Sequence, residues 1–430
     1  MSNGLSQKMI IFLMGLMILT GSINTIANKL QNSSMAFDQP YQHAWFITFC
    51  MFLGEVLCIF PYLIHRKKWE IAETVTEGTP QEKDRPSKKE ASPFHLALPA
   101  LCDFFGSTIM TFGLTMMAGS VYQMFRGSLI FFTAAFSVIF LKSKLYRHNY
   151  LALLIIISGL VLVGLANQIF PSPRPEGCSS GSSVKESFWG IILVIVSQLF
   201  AATQFIIEEK FMKHYNCHPL KAVGWEGIWG SLLYLILLVS FEFIPCNPGS
   251  YITSLICSPD DKGKWYLENT IFAFRQMGDN RLLLFYVILY ICSIAVFNFV
   301  GISVSKYSSS AARSVVDTLR TIVVWAFFLM PFIKKCERES FSWLQLLGFF
   351  LLVLGTVIYN ELLVIPFCGF NLYTKKGIDK REEEGGKESQ VQLVSQKTSS
   401  ESLPKEKGEN IENEENIEKE ENIENKENEV

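Results

Sequence analysis

The sequence predicts an all-α integral membrane protein with ten transmembrane helices, arranged as two inverted five-helix repeats. Of its 430 residues, 49% are hydrophobic, and the mean hydropathy is positive. The apolar residues are gathered into blocks of roughly the 20 residues that a helix needs to cross a hydrocarbon core of about 30 Å. The same polar features also recur in the same order in both halves of the chain.

Ten apolar blocks are long enough to be spanning helices. They lie at 9–29, 44–64, 94–117, 119–141, 149–170, 188–207, 219–244, 281–303, 309–332 and 341–363. Unpaired backbone amides in hydrocarbon are costly, so each block is expected to be helical. The first block lacks a basic leader and a small-residue cleavage site, which favours a spanning helix over a removable signal peptide.

Lysine and arginine counts in the short loops predict the orientation of the chain. With a cytosolic N-terminus, the cytosolic loops hold 13 of these residues and the luminal loops hold 8. Positive charge accumulates on the cytosolic side of membrane proteins, so both termini are expected in the cytosol. The basic cluster of Lys334, Lys335 and Arg338 in a predicted luminal loop opposes this orientation.

The spans and the charge distribution divide the chain into four regions. Residues 1–170 are predicted to form a first five-helix repeat, with a charged, mobile cytosolic loop at 65–93. Residues 171–187 form a luminal linker, and residues 188–366 form the second five-helix repeat. Residues 367–430 form an acidic cytosolic tail whose six-residue ENIE repeat fits no helical face, which predicts disorder.

The cysteines and one sequence motif indicate what the luminal loops contain. The ten cysteines show no metal-binding spacing, so no metal site is predicted. Cys178, Cys246 and Cys257 lie in predicted luminal loops, where one pair could be bridged, and the sequence leaves the pair open. Asn32 begins an Asn-Ser-Ser glycosylation motif, but its closeness to the end of the first helix argues against glycosylation there.

Two stretches of the chain end in an arginine inside an apolar run. SVYQMFR ends at Arg126, and SVVDTLR ends at Arg320. An Asp/Asn-x-x-Gly motif, which begins at Asp103 in one half and at Asn298 in the other, precedes these arginines by 23 and 22 residues. Repeated motifs at nearly constant offsets indicate a tandem duplication.

Two further features preserve the same order. A lone glutamate lies in the second span of each half, at Glu55 and at Glu226. Small residues seven positions apart follow each arginine and predict a seam for close helix packing; they are Ala152 with Gly159, and Gly348 with Gly355. Because five is odd, the second repeat must run in the opposite direction to the first, as in many secondary transporters.

Several charged residues lie inside predicted spans. They are Glu55, Asp103, Arg126, Glu226, Arg313, Asp317 and Arg320. A charge there costs roughly 2.5 to 3.5 kcal/mol on insertion scales, so these side chains must face a polar cavity or one another. Asp317 lies three residues from Arg320 and four from Arg313, so the three form either an intrahelical ion cluster or one wall of a cavity. Arg313 is close to the helix end and could instead extend to water.

Arg126 lacks a carboxylate at helical spacing in its own span. Gln123 precedes it by one turn, so the ionic partner must come from another helix, with Asp103 and Glu55 as the candidates. Arg126 is therefore the first candidate for direct contact with a solute.

The balance of charges also bears on function. The four carboxylates and three arginines nearly cancel, which favours a polar or zwitterionic solute as much as a phosphorylated one. The carboxylates could also carry a coupled proton, and Asn298 could add a neutral hydrogen bond. The sequence shows no nucleophile, metal or phosphate motif of an enzyme, so no catalytic residue and no cofactor are expected.

The chain resembles solute carrier family 35, subfamily F, and in particular its member-six branch. The resemblance rests on the ordered blocks MGLMILTGSINTIANKL, MFLGE, LPALCD, YQMFRGSLIFFTAAFSVIFL, EEKFMKHYNCHPLKAVGWEG, FNFVGISVSKYSSSAARSVVDTLRT and LLGFFLLVLGTVIYN. It spans about residues 9–363 and implies a drug/metabolite transporter fold with EamA-type repeats. It also implies ten transmembrane helices, an endomembrane location and transporter activity, with nucleotide-sugar transporters as relatives.

The predicted function is a secondary transporter that moves a small polar solute, nucleotide-sugar-like or zwitterionic, across an endomembrane by alternating access. The resemblance implies a lysosomal or Golgi membrane, with a mitochondrial or plasma membrane as alternatives. The lipid bilayer and the solute are the expected partners; a homodimer stays open, and no nucleic acid is expected. The alternative is a non-transporting scaffold that binds partners through its acidic tail. The residues predicted to bind solute or to gate are Glu55, Asp103, Gln123, Arg126, Glu226, Asn298, Asp317 and Arg320.

Overall fold

The computed structural model describes most of the chain before residue 365. The described residues are 7–66, 92–116, 122, 125–169, 184–215, 217–247, 257–259, 264–331 and 341–364, with 366, 374, 377, 378 and 381. The chain divides into two units, 1–370 and 371–430, and every helix and strand named below belongs to the first. Gln123, Cys178 and most of the predicted tail lie outside the described residues.

The first unit is a bundle of α-helices with two very short β-hairpins. The helices are α1 (Gln7–Asn32), α2 (Ala44–Leu57), α3 (Ala97–Thr115), α4 (Leu129–Leu141), α5 (Arg147–Ile169), α6 (Val184–His214), α7 (Pro219–Phe241), α8 (Thr270–Asp279), α9 (Arg281–Tyr307), α10 (Ser310–Phe328) and α11 (Trp343–Tyr359). A 3-10 helix at Pro93–Leu96 leads into α3. Strands β1 (Met35–Ala36) and β2 (Gln39–Pro40) pair antiparallel, as do β3 (Ser258–Pro259) and β4 (Trp265–Tyr266).

Each of the ten predicted spans overlaps one of these helices. Two features differ from the prediction. The sequence predicts a cytosolic loop at 208–218, between the sixth and seventh spans. This prediction is wrong for residues 208–214, which are helical because α6 continues to His214. The reason is that Glu208 and Glu209 are buried and paired rather than solvated, as described below. The short helix α8, which buries one face, lies in a loop for which no helix was predicted.

Local chemistry explains where several helices begin and end. The side-chain oxygens of Asn269, Asn280 and Ser309 accept hydrogen bonds from the first free backbone N–H groups of α8, α9 and α10. Pro61 has no N–H group to donate to the carbonyl of Leu57, and α2 ends at that residue before helix resumes at 59–66.

The composition of the helix surfaces identifies a membrane protein. Six helices within the described residues are long and apolar enough to cross a bilayer: Lys8–Asn32, Ala44–Arg66, Pro93–Leu114, Phe188–His214, Pro219–Phe241 and Arg281–Tyr307. The helices of the bundle, the shorter ones included, expose large apolar side chains on their outer faces, among them Phe12, Ile139, Leu154, Ile236 and Phe350. Such faces are stable in lipid rather than in water, so the fold is an all-α integral membrane protein.

Helices from the two halves of the chain pack against each other throughout the bundle. The most extensive pairs are α5 with α11, α3 with α6, α1 with α9, and α2 with α7. The predicted small-residue seams form the first pair: a Cβ atom added at Gly159 would lie 2.7 Å from the carbonyl oxygen of Gly348. A Cβ atom added at Gly355 would lie 2.9 Å from the carbonyl oxygen of Ala152. The two seams therefore face each other.

One luminal-loop prediction is resolved by the structure. Cys246 and Cys257 form a disulfide with a Cα–Cα distance of 6.0 Å, so these two of the three candidate cysteines are bridged. The bridge joins the end of α7 to strand β3.

Replacing Gly159 by valine is expected to destabilise the protein. The added side chain would push the backbone of α11 away, and overpacking of this kind typically costs about 1 to 3 kcal/mol. Thermal unfolding of the purified protein in detergent should show a clear fall in Tm. Gly15→Val is the matched control, since no atom lies within 4 Å of a Cβ at that position. Equal Tm values for the two variants would contradict the seam.

Candidate functional site

A polar cavity of about 430 Å³ lies between the helices. Its walls come from α1, α2, α3, α4, α6, α9 and α10. Five of the predicted site residues line it: Asp103, Arg126, Asn298, Asp317 and Arg320. The volume falls in the usual range for small-molecule sites, so the cavity is the candidate functional site.

The cavity enters the bundle from the side of the α1–α2 loop. Asn32, Ser33 and the exposed Gln42 line its mouth. Along α10 the lining runs from Val324 to Arg313, which is about 16 Å at a rise of 1.5 Å per residue. Because α10 begins at Ser310, the cavity extends along more than half of this helix and ends in its first turn.

Asp317 is shared by the two arginines of the repeated motif. Its Oδ2 atom lies 3.2 Å from Nη2 of Arg320 on the same helix and 3.5 Å from Nη2 of Arg126. Arg320 is 2% exposed and its guanidinium also lies over the ring of Phe297, 5.1 Å from the centroid. We call Arg126, Asp317 and Arg320 the shared-carboxylate site.

This geometry corrects one prediction and confirms another. The partner of Arg126 comes from another helix, as predicted, but Asp103 and Glu55 were the wrong candidates, because α10 brings Asp317 against it. The predicted pairing of Asp317 with Arg320 on one helix is confirmed.

Arg313 is paired with α6 rather than with Asp317 or with water. It is 2% exposed, and its Nη1 atom donates a hydrogen bond to Oε2 of Glu208 at 2.5 Å. Its guanidinium also lies 3.7 Å from the centroid of the Phe205 ring. The predicted intrahelical pairing of Arg313 with Asp317 and its extension to the membrane surface are wrong, because Glu208 provides a buried carboxylate on the facing helix. The alternative prediction, that Arg313 forms part of a cavity wall, agrees with its place in the lining.

Four buried carboxylates lie near Arg313, and we call them the acidic cluster: Glu55, Asp103, Glu208 and Glu226. They lie within electrostatic range of one another and of Arg313. Asp103 accepts a hydrogen bond from Ser107 at 2.6 Å, and Glu55 accepts one from the side-chain amide of Asn298 at 2.5 Å.

Of the four acidic-cluster residues, only Asp103 lines the cavity. Asp103 faces the cavity, whereas Glu55 and Glu226 lie behind its wall, where α2 and α7 approach closely at Gly227. Asn298 connects the cavity to Glu55. The roles of these residues in binding or gating stay predictions.

The acidic cluster has a clear chemical capability. Four carboxyl groups share one nearby guanidinium in a region of low dielectric constant, so they cannot all be ionised at once. Interacting acids of this kind titrate as a group, and the uptake of a proton or the approach of a cation relieves their repulsion. The cluster is therefore suited to binding positive charge beside the cavity.

Beyond Arg313 the bundle is closed, and we call this region the closed end. It contains an apolar cluster that includes Cys58, Tyr62, Leu96, Met212, Leu220, Val223, Ala295 and Ile302. Polar contacts join its helices: Glu209 accepts the backbone N–H of Ser310 at 2.6 Å, and Lys306 donates to the carbonyl of Cys217 at 3.0 Å. Parting these helices would open a path from the cavity to the other side.

His218 begins α7 at the closed end. Its Nδ1 atom accepts the backbone N–H of Leu220 at 3.3 Å. Burial, together with the nearby ammonium group of Lys306, lowers the pKa of His218 to about 4. Because an accepting ring nitrogen must be unprotonated, this cap persists under mildly acidic conditions.

The mouth of the cavity is covered in part by a polar network. His43 lines the mouth, and its ring nitrogens contact Glu268 at 2.6 Å and Gln276 of α8 at 3.0 Å. Asn32, the proposed glycosylation residue, is the last residue of α1 and donates to Asn28 at 3.1 Å. The sequence argues against glycosylation of Asn32, and that stays a prediction.

Sequence reasoning missed Glu208, Glu209 and His43. A run of Glu-Glu-Lys after an apolar block normally marks a membrane boundary, and the predicted span therefore ends at residue 207. One feature of the sequence does indicate a missing partner: α10 carries two arginines and one aspartate, so one arginine needs a carboxylate from another helix. Nothing local distinguishes His43 from an ordinary loop histidine.

The chain is similar to known proteins over most of its length. The chain matches the model of the CRT-like, chloroquine-resistance transporter-like family over residues 10–359. The chain belongs to the CRT-like family. Solute carrier family 35 member F6 of Homo sapiens is 37% identical over 358 residues, which cover 82% of this chain and 89% of the human protein. The Mus musculus protein of the same name is 38% identical over 361 residues, covering 82% and 88%.

A more distant relative shares the same extent. An uncharacterized protein of Schizosaccharomyces pombe is 30% identical over 359 residues, which cover 82% of this CRT-like chain and 98% of the yeast protein. The predicted assignment to solute carrier family 35, subfamily F, is confirmed. The family and the relatives named as solute carriers point to a membrane transporter rather than to an enzyme.

Replacing Glu208 by glutamine is expected to destabilise the CRT-like chain strongly. The change removes the carboxylate that the buried guanidinium of Arg313 contacts directly, and breaking a buried pair in this way costs about 3 kcal/mol or more. Thermal unfolding in detergent should show a large fall in Tm. Lys210→Gln, two residues away on the exposed face of α6, is the control and should change Tm little.

A double variant separates lost pairing from lost packing. Glu208→Gln combined with Arg313→Gln removes both charges, so it should recover part of the Tm lost by Glu208→Gln alone. A double variant that is less stable than the single one would show that the ion pair is not the source of the effect.

Proposed function

We propose that this CRT-like protein is a secondary transporter that moves a small polar solute across an endomembrane by alternating access. The observation that supports the proposal is a cavity with charged and amide side chains in its wall, which is lined by the α1–α2 loop and stops at Arg313, next to the closed end. A transporter working by alternating access must hold its solute site open to one side at a time. In this interpretation the structure represents the state open at the α1–α2 loop.

We further propose that the bundle consists of two inverted five-helix repeats of the EamA type, residues 1–170 and 188–366. The pairing of the helices supports this arrangement. If α1 to α5 are exchanged with α6, α7, α9, α10 and α11 in order, the pair α1–α9 becomes α6–α3, and α1–α10 becomes α6–α4. All four of these pairs are in contact. The pairs α5–α11, α2–α7 and α4–α10 map onto themselves and are also in contact.

The acidic cluster supports proton coupling for the proposed transport. Its charge changes with proton uptake, and Asn298 and Asp103 connect it to the cavity wall. The Arg313–Glu208 pair ties the same cluster to the closed end. A proton entering the cluster would weaken the hold of Glu208 on Arg313, which favours opening toward the other side.

The cavity wall and the loops support the proposed solute and location. Amide, hydroxyl and charged groups line the cavity, which suits a polar solute, either nucleotide-sugar-like or zwitterionic. The disulfide between Cys246 and Cys257 suits an oxidising lumen, so the 245–280 loop is proposed to be luminal and both termini cytosolic. A lysosomal or Golgi membrane is the proposed site, with lipid and solute as partners, a homodimer as an open alternative and no role for nucleic acid.

Transport in liposomes is the direct test. Uptake of a mixed metabolite library by the reconstituted protein should exceed that of empty liposomes for at least one polar solute. Arg126→Ala should reduce that uptake by about tenfold or more, since a hydrogen bond to a charged group is worth roughly 1.5 to 3 kcal/mol. Lys210→Ala, on the exposed face of α6, is the matched control and should transport normally.

Deletion of the tail distinguishes transport from scaffolding. Removal of residues 375–430 should leave uptake nearly unchanged, because the cavity-lining residues all precede them. Absence of uptake for every solute, together with a cellular function lost on tail deletion, would favour the partner-binding scaffold.

Cross-linking the closed end is expected to stop transport reversibly. The Sγ atom of Cys58 lies 3.4 Å from the carbonyl oxygen of Ala295 on α9. Ala295→Cys should therefore form an oxidant-induced disulfide with native Cys58 that holds this end shut. Uptake of the solute identified in the screen should fall on oxidation and return on reduction.

The control for this experiment is Ala295→Cys combined with Cys58→Ala. It retains the other cysteines and should be insensitive to the oxidant. Full transport by the cross-linked protein would exclude opening of the closed end as a step of the cycle.

A further inference from the structure

The shared-carboxylate site is incompletely satisfied. Two guanidinium groups face one carboxylate, and the Arg126–Asp317 distance of 3.5 Å exceeds the 2.7 to 2.9 Å typical of charge-assisted hydrogen bonds. Among the described residues, Oδ1 of Asp317 and Nη2 of Arg320 have no hydrogen-bond partner, although both are buried. The site therefore retains donors and one net positive charge for an anionic group that enters the cavity.

A second pole of opposite sign lies in the same cavity. Asp103 faces the cavity, and the guanidinium of Arg313, which lies near it, is bound to Glu208. The other acidic-cluster members lie behind Asp103 and add no cation to this part of the cavity. A cationic group would be stabilised at this pole, and a second anionic group would be repelled.

Two phenylalanine rings of the cavity wall are each covered by an arginine. The guanidinium of Arg313 covers the ring of Phe205, and that of Arg320 lies over the ring of Phe297. These ring faces are therefore occupied and do not offer a stacking surface to a base. A diphosphate would also meet the carboxylate of Asp103 in the same cavity.

We infer that the solute is a small zwitterion whose carboxylate binds between Arg126 and Arg320 in place of Asp317, and whose ammonium group binds at Asp103. Asp317 then acts as an internal counter-ion, which holds the two arginines while the cavity is empty and yields them to the solute. The amide groups that line the cavity between the poles, such as Asn298 and Gln198, suit the polar body of such a solute. This inference names the solute class of the proposed transporter and rests on that function.

Binding to the purified full-length protein tests the inference without a transport assay. Thermal shifts in detergent would be measured with α-amino acids, with dipeptides, and with UDP-N-acetylglucosamine as a polyanionic probe. At least one zwitterion should raise Tm. Its amide lacks the carboxylate and its N-acetyl derivative lacks the ammonium group, so both should bind at least tenfold more weakly. Equal binding of either derivative would overturn the inference, as would stabilisation by the nucleotide sugar alone.

Three variants assign the poles. Asp317→Asn removes the competing carboxylate and should tighten zwitterion binding about tenfold, a change that a merely structural residue would not produce. Arg126→Gln should weaken it by a similar factor. Asp103→Asn should abolish the preference for the free amine over the N-acetyl derivative; unchanged discrimination would exclude Asp103 as the cationic pole.

Failure of the inference can be separated from failure of the proposed function. Zwitterion binding with the expected variant pattern, but without flux in liposomes, would retain the site and reject transport. Flux of a solute that lacks either charged group would retain transport and reject the zwitterion. If Asp317→Asn does not fold, the amide and N-acetyl comparison on the unaltered protein decides the question.

Discussion

The polar interior of this CRT-like protein depends on one carboxylate shared by two arginines. Asp317 joins α10, which also carries Arg320, to Arg126 just before α4. The buried guanidinium of Arg320 and the partly exposed guanidinium of Arg126 would repel each other without an anion between them, so the approach of these helices requires Asp317. One carboxylate cannot neutralise both, so positive charge remains in this part of the cavity wall. The charge imbalance therefore makes this part of the wall polar.

The division of charge along α10 links the cavity to the closed end. Arg313 stands one helical turn from Asp317 and could have paired with it, but Glu208 on α6 takes Arg313 instead. This leaves Asp317 for the other two arginines and commits Arg313 to the closed end. The same helix therefore carries one ion pair that a solute can reach and another that must part before the opposite side opens. Movement of α10 would change both together.

The sequence predicted the membrane helices and the buried charges well, because a bilayer imposes strong constraints on length and polarity. The facing of Gly159 and Gly348 also follows from small-residue spacing. The partners of the charges were not predictable in the same way. Helical spacing identifies neighbours on one helix, such as Asp317 and Arg320, whereas Arg126–Asp317 and Arg313–Glu208 are set by packing between distant segments. Glu208 was missed because a paired, buried glutamate has the same local sequence context as one at a membrane surface.

The distribution of small residues separates static from mobile parts of the bundle. Among the described residues, the cavity lining includes none from α5, α7 or α11. Helices α5 and α11 instead approach backbone to backbone at Gly159 and Gly348, where a shift of one turn would lose the interdigitation that glycine permits. Helices α1, α4, α6 and α10 share apolar contacts, and around the cavity polar contacts such as Thr133–Ser314 and Arg126–Asp317 are added. Contacts of that kind can exchange partners with water or solute, so rearrangement during transport is easier around the cavity than at the glycine seam.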